Sequence, residues 1–136
     1  MHTKPSSSRW TAQTLREAAS AGAGAATGCA ACNALRCPGW EALSSTFDET
    51  ALAQVGTLRE TDADAVEPTL DEYHPQRSNY WSEDAPIAVS YHPYNRCDIW
   101  ACKSCARVFL RYTEYGGYYV EPRIRAVAGD LVVAPE

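Results

Sequence analysis

Methionine occurs once, phenylalanine twice and histidine three times in this chain of 136 residues, and no apolar run is long enough to cross a bilayer. A membrane-spanning helix is thereby excluded. Catalytic signatures are equally sparse: there is no Ser-His-Asp order, no nucleophile elbow and no phosphate-cradling glycine loop. Gly22 and Gly24 lie in an alanine tract that follows no apolar strand, so they do not make a nucleotide-binding turn. An enzyme is therefore the weaker expectation, and no residue is assigned a catalytic role.

What is present describes an ordinary globular chain. The hydrophobic fraction of 46% is inflated by alanine, while 21% of residues are charged and the mean hydropathy is −0.36. The length suits one domain with its own core. Residues 1–8, polar with Pro5 and a serine run, read as a disordered tail, and 9–136 as a single domain. Ala26-Thr27-Gly28-Cys29 has the look of a lipobox, but Ala18 to Gly28 is nearly all Ala, Gly, Ser and Thr and lacks an apolar h-region. Six cysteines without an export signal imply a reducing compartment, the cytoplasm, where paired cysteines hold metal or do redox chemistry.

The net charge of −5 is unevenly spread. Residues 41–84 carry eleven acids against Arg59 and Arg77, whereas Arg96, Lys103, Arg107, Arg111, Arg123 and Arg125 outnumber Asp98, Glu114 and Glu121 later in the chain. Such a dipolar sequence either folds one part over the other or offers each to a different partner.

Apolar spacing places the elements. A short helix is predicted after Ser8, which would cap it, with Trp10, Thr14 and Ala18 on one face and Gly22 and Gly24 as its stop. Trp40, Leu43 and Phe47 have the spacing of a second helix. Strands are predicted at Leu52–Leu58, Ile87–Tyr91 and Asp98–Ala101, and a hairpin at Val108–Thr113 and Tyr118–Val120 around Gly116-Gly117, with Pro122 ending the pairing. Alternation over this hairpin puts Val108, Leu110 and Tyr112 in the core and projects Arg107 and Arg111 outward. The tail Leu131–Val133 reads as an edge strand or a docked segment. The expected core is Trp40, Leu43, Phe47, Val55, Leu58, Ile87, Val89, Ile99, Val108, Leu110, Tyr112, Val120 and Ile124. The class is α+β: a small antiparallel β-sheet with a C-terminal hairpin and one or two short helices.

The strongest chemical signal is a pair of Cys-x-x-Cys motifs, Cys29/Cys32 and Cys102/Cys105. Each turn sets two sulfurs to chelate one ion, and two turns close a tetrahedral four-sulfur shell around Zn2+, although iron also suits that ligand set. Cys102-Lys103-Ser104-Cys105-Ala106-Arg107-Val108-Phe109 resembles the second knuckle of a zinc ribbon, in which such a turn feeds directly into a strand. At the first knuckle only the cysteine spacing matches, with Asn33 suited to the left-handed position a glycine would fill. The resemblance implies a structural zinc held by four cysteines, with residues 33–101 as a large insertion between the knuckles, against the ~15–20 residues of compact sites. Cys37 and Cys97 flank the pairs in mirror fashion. Three readings stand side by side for them: buried small hydrophobes, substitutes for a member of the quartet, or partners of His92 in a second site.

His74 and His92 each occur in Tyr-His-Pro, where the proline holds the histidine extended. They can flank a cleft with Glu72 or Asp98, or be ordinary hydrogen-bonded side chains. The second half of the chain is rich in rings, and Trp81, Tyr94, Arg107 and Arg111 form a candidate recognition surface. The leading expectation is a zinc-stabilised adaptor that meets a protein partner. Alternatives are nucleic-acid binding through the arginine-bearing hairpin and a thiol redox or zinc-release sensor.

Overall fold

The structure, a computed structural model, describes residues 8–23, 29–59, 69–116 and 118–135. Along the chain it places a helix α1 (Ala12–Ala23) and strands β1 (Glu41–Ala42), β2 (Leu52–Thr57), β3 (Ile87–Ala88), β4 (Asp98–Cys102), β5 (Val108–Tyr115), β6 (Val120–Ala126) and β7 (Val132–Val133). Five strands form an antiparallel sheet in the order β1-β6-β5-β4-β2, and β3 pairs with β7 in parallel beside it. This is the α+β class with a small sheet that the apolar pattern predicts.

The hairpin β5–β6 is the spine of the sheet. Its closing bond runs from the Gly116 N–H to the Tyr119 carbonyl, one residue beyond the Gly116-Gly117 centre expected. A side chain at Gly116 would meet the Tyr119 ring, which would have to shift to admit it. Pro122 does not end the pairing: it sits opposite Thr113, within a ladder that continues to Ala126. Its carbonyl accepts from the Leu43 N–H at 2.9 Å, so its missing donor falls on the side of two-residue β1 and costs no bond to β5.

Both faces of this sheet are covered. Leu110, Tyr112, Val108 and Ile99 lie on one, with Leu15, Trp40, Leu58, Ile87, Tyr94, Cys97 and Val132 packed over them. Phe109, Cys102 and Ile124 lie on the other, with Cys32, Leu35, Cys37, Leu43, Leu52 and Cys105. The expectation of one core face and one open face is thereby corrected, and Phe109, absent from the expected core, is completely buried. Val120, expected inside, is 64% exposed beside the hairpin turn. Phe47, Val55 and Val89 are only partly buried against the two clusters.

Trp40 and Leu43 explain why the second helix is missing. Three residues apart, they would share one face of a helix but occupy opposite faces of an extended strand. The chain takes the extended path, pairs Glu41 and Ala42 with β6, and sends Trp40 and Leu43 into opposite cores. Helix α1 does form, but Thr11 caps it, its Oγ1 accepting from the Thr14 N–H at 3.1 Å. Ser8 instead accepts the Thr57 N–H through its carbonyl, and residues 1–7 of the predicted disordered tail lie outside those described. The buried apolar side chains of α1 are Ala12, Leu15 and Ala19; of the predicted face, Trp10 and Ala18 are partly buried against the same core and Thr14 is exposed. The strand expected at Ile87–Tyr91 shortens to Ile87–Ala88, which receives the tail strand β7.

Candidate metal centre

Cys102 ends β4 and Cys105 lies in the turn before β5, so the second knuckle is the turn between two paired strands. The turn is tied by main-chain bonds: Cys102 N–H to the Arg107 carbonyl at 2.9 Å, Ala106 N–H to the Cys102 carbonyl at 2.8 Å, and Lys103 N–H to the Ala51 carbonyl at 2.9 Å. Ala106 takes a left-handed conformation with φ of 67°, which a Cβ disfavours. At the first knuckle the Leu35 N–H bonds to the Cys32 carbonyl at 2.9 Å. Asn33 is not left-handed: among the described residues other than glycine, positive φ belongs to Cys37, Arg77 and Ala106.

These turns bring together four sulfurs from opposite parts of the chain. Cys29, Cys32, Cys102 and Cys105 place their Sγ atoms within 4.8 Å of one another. Cys29 and Cys102 are 3.8 Å apart, and Cys32 and Cys105 3.6 Å. A tetrahedral zinc with bonds of ~2.3 Å separates its thiolates by ~3.8 Å. Disulfides would need ~2.05 Å, and all six cysteines are free thiols. The donor set is sulfur alone, which suits a soft or borderline ion. The four residues therefore fit a metal ion.

Burial and charge support the same assignment. Cys29 is half-buried and the other three are buried. The Cys29 thiol is brought down to about 7, chiefly by the Cys32 N–H. Burial, then hydrogen bonding to neighbouring thiols, pushes Cys32 up to about 12, and burial also raises Cys105. A packed thiol group of this kind resists complete ionisation by itself, and a divalent cation supplies the charge that makes four thiolates stable.

Arg107 fastens one knuckle to the other. Its guanidinium donates to the Leu35 carbonyl and, at 3.0 Å, to the Arg36 carbonyl, while lying 4.8 Å from the centre of the Phe109 ring. The Ala126 N–H completes the join with a 2.9 Å bond to the Cys37 carbonyl. Arg111 likewise turns inward, paired with Glu49 and stacked 4.4 Å over Trp100. Of the candidate recognition surface, Trp81 is 56% exposed with Arg123 4.9 Å over its ring, whereas Tyr94 is 5% exposed and accepts from Arg125. Tyr94 is thus a core residue and cannot serve as surface.

Neither spare thiol joins the quartet. Cys37 packs in the core around the sulfurs, and burial pushes it up to about 11. Cys97 lies in the other core, donating to the Pro93 carbonyl at 3.2 Å, with burial raising it well above an ordinary thiol. His92 is held by Arg96, whose Nε lies 3.3 Å from Nδ1, and stands against Tyr112. The two Tyr-His-Pro segments are neighbours, with Tyr73 and Tyr91 ring centres 5.3 Å apart. His74 bridges Glu72 at 2.7 Å and Ser78 at 2.8 Å, bonds that knit a single turn.

Sequence reasoning did not anticipate Arg125, completely buried and bonded to the carbonyls of Pro38, Glu83 and Ala85 and to the Tyr94 hydroxyl. Its signal was the register: Arg125 lies opposite Leu110, on a core face. Fold and site together define an α+β protein whose two chain halves meet at a candidate metal centre of four cysteines. No protein-family model matches the chain, and neither a curated protein nor a solved structure matches it. Among the described residues no helix is long and apolar enough to cross a membrane.

Proposed function

We propose that the chain is a zinc-binding protein whose metal is structural and whose surface serves a protein partner. The observation that carries the zinc reading is the quartet of Sγ atoms at tetrahedral spacing. Four protein sulfurs leave a zinc no open position, and closed sites of this kind hold folds together rather than catalyse. The ion would link the first knuckle to the β4–β5 turn, leaving Trp81 and the hairpin-turn rings Tyr115, Tyr118 and Tyr119 exposed for association.

Elemental analysis of protein purified without a metal-affinity step is expected to return one zinc per chain, with X-ray absorption showing a sulfur-only shell at about 2.3 Å. Metal-free protein with both cores folded would overturn the reading. The half-buried Cys29 favours a second reading, in which oxidation begins at that thiolate and releases zinc. Peroxide titration with a zinc-sensitive dye separates the two: a structural site keeps its ion until the protein unfolds. Nucleic-acid binding is less supported, because Arg107 donates to the Leu35 and Arg36 carbonyls and Arg111 is paired with Glu49.

A further inference from the structure

Strand β5 runs past the start of its neighbour. β4 pairs with it only over Val108–Arg111, beginning at the Asp98–Arg111 pair, whereas β6 follows it to Tyr115. In an antiparallel ladder the main-chain groups of successive residues point to opposite sides. Val108 accepts from the Val127 N–H and Gly116 donates to Tyr119, so residues of that parity face β6. Thr113 and Tyr115 therefore turn their N–H and C=O groups towards the line of β4, where β4 has not yet begun. Among the described residues no strand pairs with this stretch of edge, the feature to which another strand adds most readily.

The space beside that edge is a cavity of about 470 Å³, lined by Thr113 and Tyr115 together with Arg59, Arg96, Arg111 and Asn95. Among the described lining residues Asp98 is the one acid, and it pairs with Arg59 at 2.9 Å. Arg111 has Glu49 as a partner, and Arg96 is bonded to the ring of His92. The wall thus carries excess positive charge. Two of its residues also hold buried polar atoms with no partner among the described residues: Asn95 Oδ1, on a residue only 8% exposed, and Arg111 Nη1.

We propose that an extended acidic peptide of a partner protein adds to β5 at Thr113 and Tyr115, continuing the line of β4, and sets a carboxylate among Arg96, Arg59 and Arg111. Main-chain bonds to the free edge supply affinity, and the arginines select the acidic side chain. This deepens the reading of the protein as one that binds a protein partner and rests on it.

The test uses the full zinc-loaded chain, labelled with nitrogen-15, and the probe acetyl-Val-Glu-Val-Asp-Val-Glu-amide. Binding is expected to slow amide exchange at Thr113 and Tyr115 about tenfold or more, and to weaken as salt rises. The same peptide with lysine for each acid, or with N-methylated main-chain amides, is expected not to bind. Arg96→Glu should weaken the acidic probe by about tenfold or more while the sheet stays folded, as protected amides at Ile99 and Leu110 would show. Thr113→Pro should abolish binding; if that variant fails to fold, the N-methylated probe still decides whether the strand edge is used. Acetate or inorganic phosphate shifting the same resonances without slowing exchange would overturn the proposal and make the cavity a small-anion site. Failure of the acidic probe to bind folded protein of full zinc content would overturn it too, without touching the metal assignment, which stands or falls on elemental analysis.

Discussion

Arg125 is a cation whose described hydrogen bonds all go to neutral oxygens. Nε reaches the Pro38 carbonyl at 3.1 Å, Nη2 the carbonyls of Glu83 and Ala85 at 3.0 and 2.9 Å, and Nη1 the Tyr94 hydroxyl. The buried Ala85 carbonyl and those of Pro38 and Glu83 are thereby tied to one side chain, and the guanidinium fork suits this arrangement as an ammonium cannot. Arg125→Leu is expected to lower stability by about 3 kcal/mol in urea unfolding, with Arg125→Lys restoring little of it. The strain at Ala106 runs the other way. Its φ of 67° is one that glycine adopts freely, so Ala106→Gly should raise stability by about 0.5–1 kcal/mol after the greater entropy of the unfolded glycine is subtracted. His92 supplies a pH dependence. Burial, then Arg96, lowers it from 6.5, against the opposing pull of Glu114 and Glu72, so the unfolded chain takes up a proton before the folded one does. Its contribution to stability is complete above pH 6.5 and declines as pH falls through the window below that value, which urea midpoints between pH 7.5 and 5 would show as a loss abolished in His92→Gln.

At the scale of elements, Gly22 shows why helix α1 sits where it does. A Cβ there would stand 2.5 Å from the Ala106 carbonyl oxygen, so the last turn of α1 lies directly on the second knuckle. Alanine is the better helix former by about 1 kcal/mol, yet Gly22→Ala is expected to cost about 1–3 kcal/mol in a thermal melt, because the clash is with main chain that cannot yield. A gain would mean that α1 and the knuckle separate freely. The same contrast explains what could be read in advance. The β5–β6 hairpin was legible because alternation, β-branched residues and a glycine turn agree locally, and the four cysteines because metal chemistry leaves a recognisable spacing. Trp40 and Leu43 misled because spacing of three serves one helix face or two strand faces, and only the partner strand β6 decides. Phe109 and Arg125 were missed because a sheet covered on both sides buries both parities, and the cover on the second face comes from residues distant in sequence.

For the whole molecule, an ion in the proposed site would matter differently to the two cores. One unites Leu15, Ile87, Ile99, Leu110 and Val132 through apolar contact, with α1, β3 and β7 packed over the sheet. The other surrounds the sulfurs, where Leu35, Leu43, Leu52, Phe109 and Ile124 close over a group whose own members are four thiols. Ligand binding to the folded state alone adds its free energy to folding, and for structural zinc that term, about 10–16 kcal/mol in small peptides, rivals the whole stability of a domain. Chelation should therefore act first on the sulfur side. The expected outcome, read by hydrogen exchange in excess chelator, is loss of protection at Leu35, at Ala126, whose N–H bonds to the Cys37 carbonyl, and at Lys103, while Ile99 and Leu110 stay protected. Restoring zinc should restore protection at all three. Simultaneous loss at Ile99 and Leu110 would instead show that both cores unfold as one cooperative unit, with the ion holding the sheet itself rather than only the crossing of the chain's two halves.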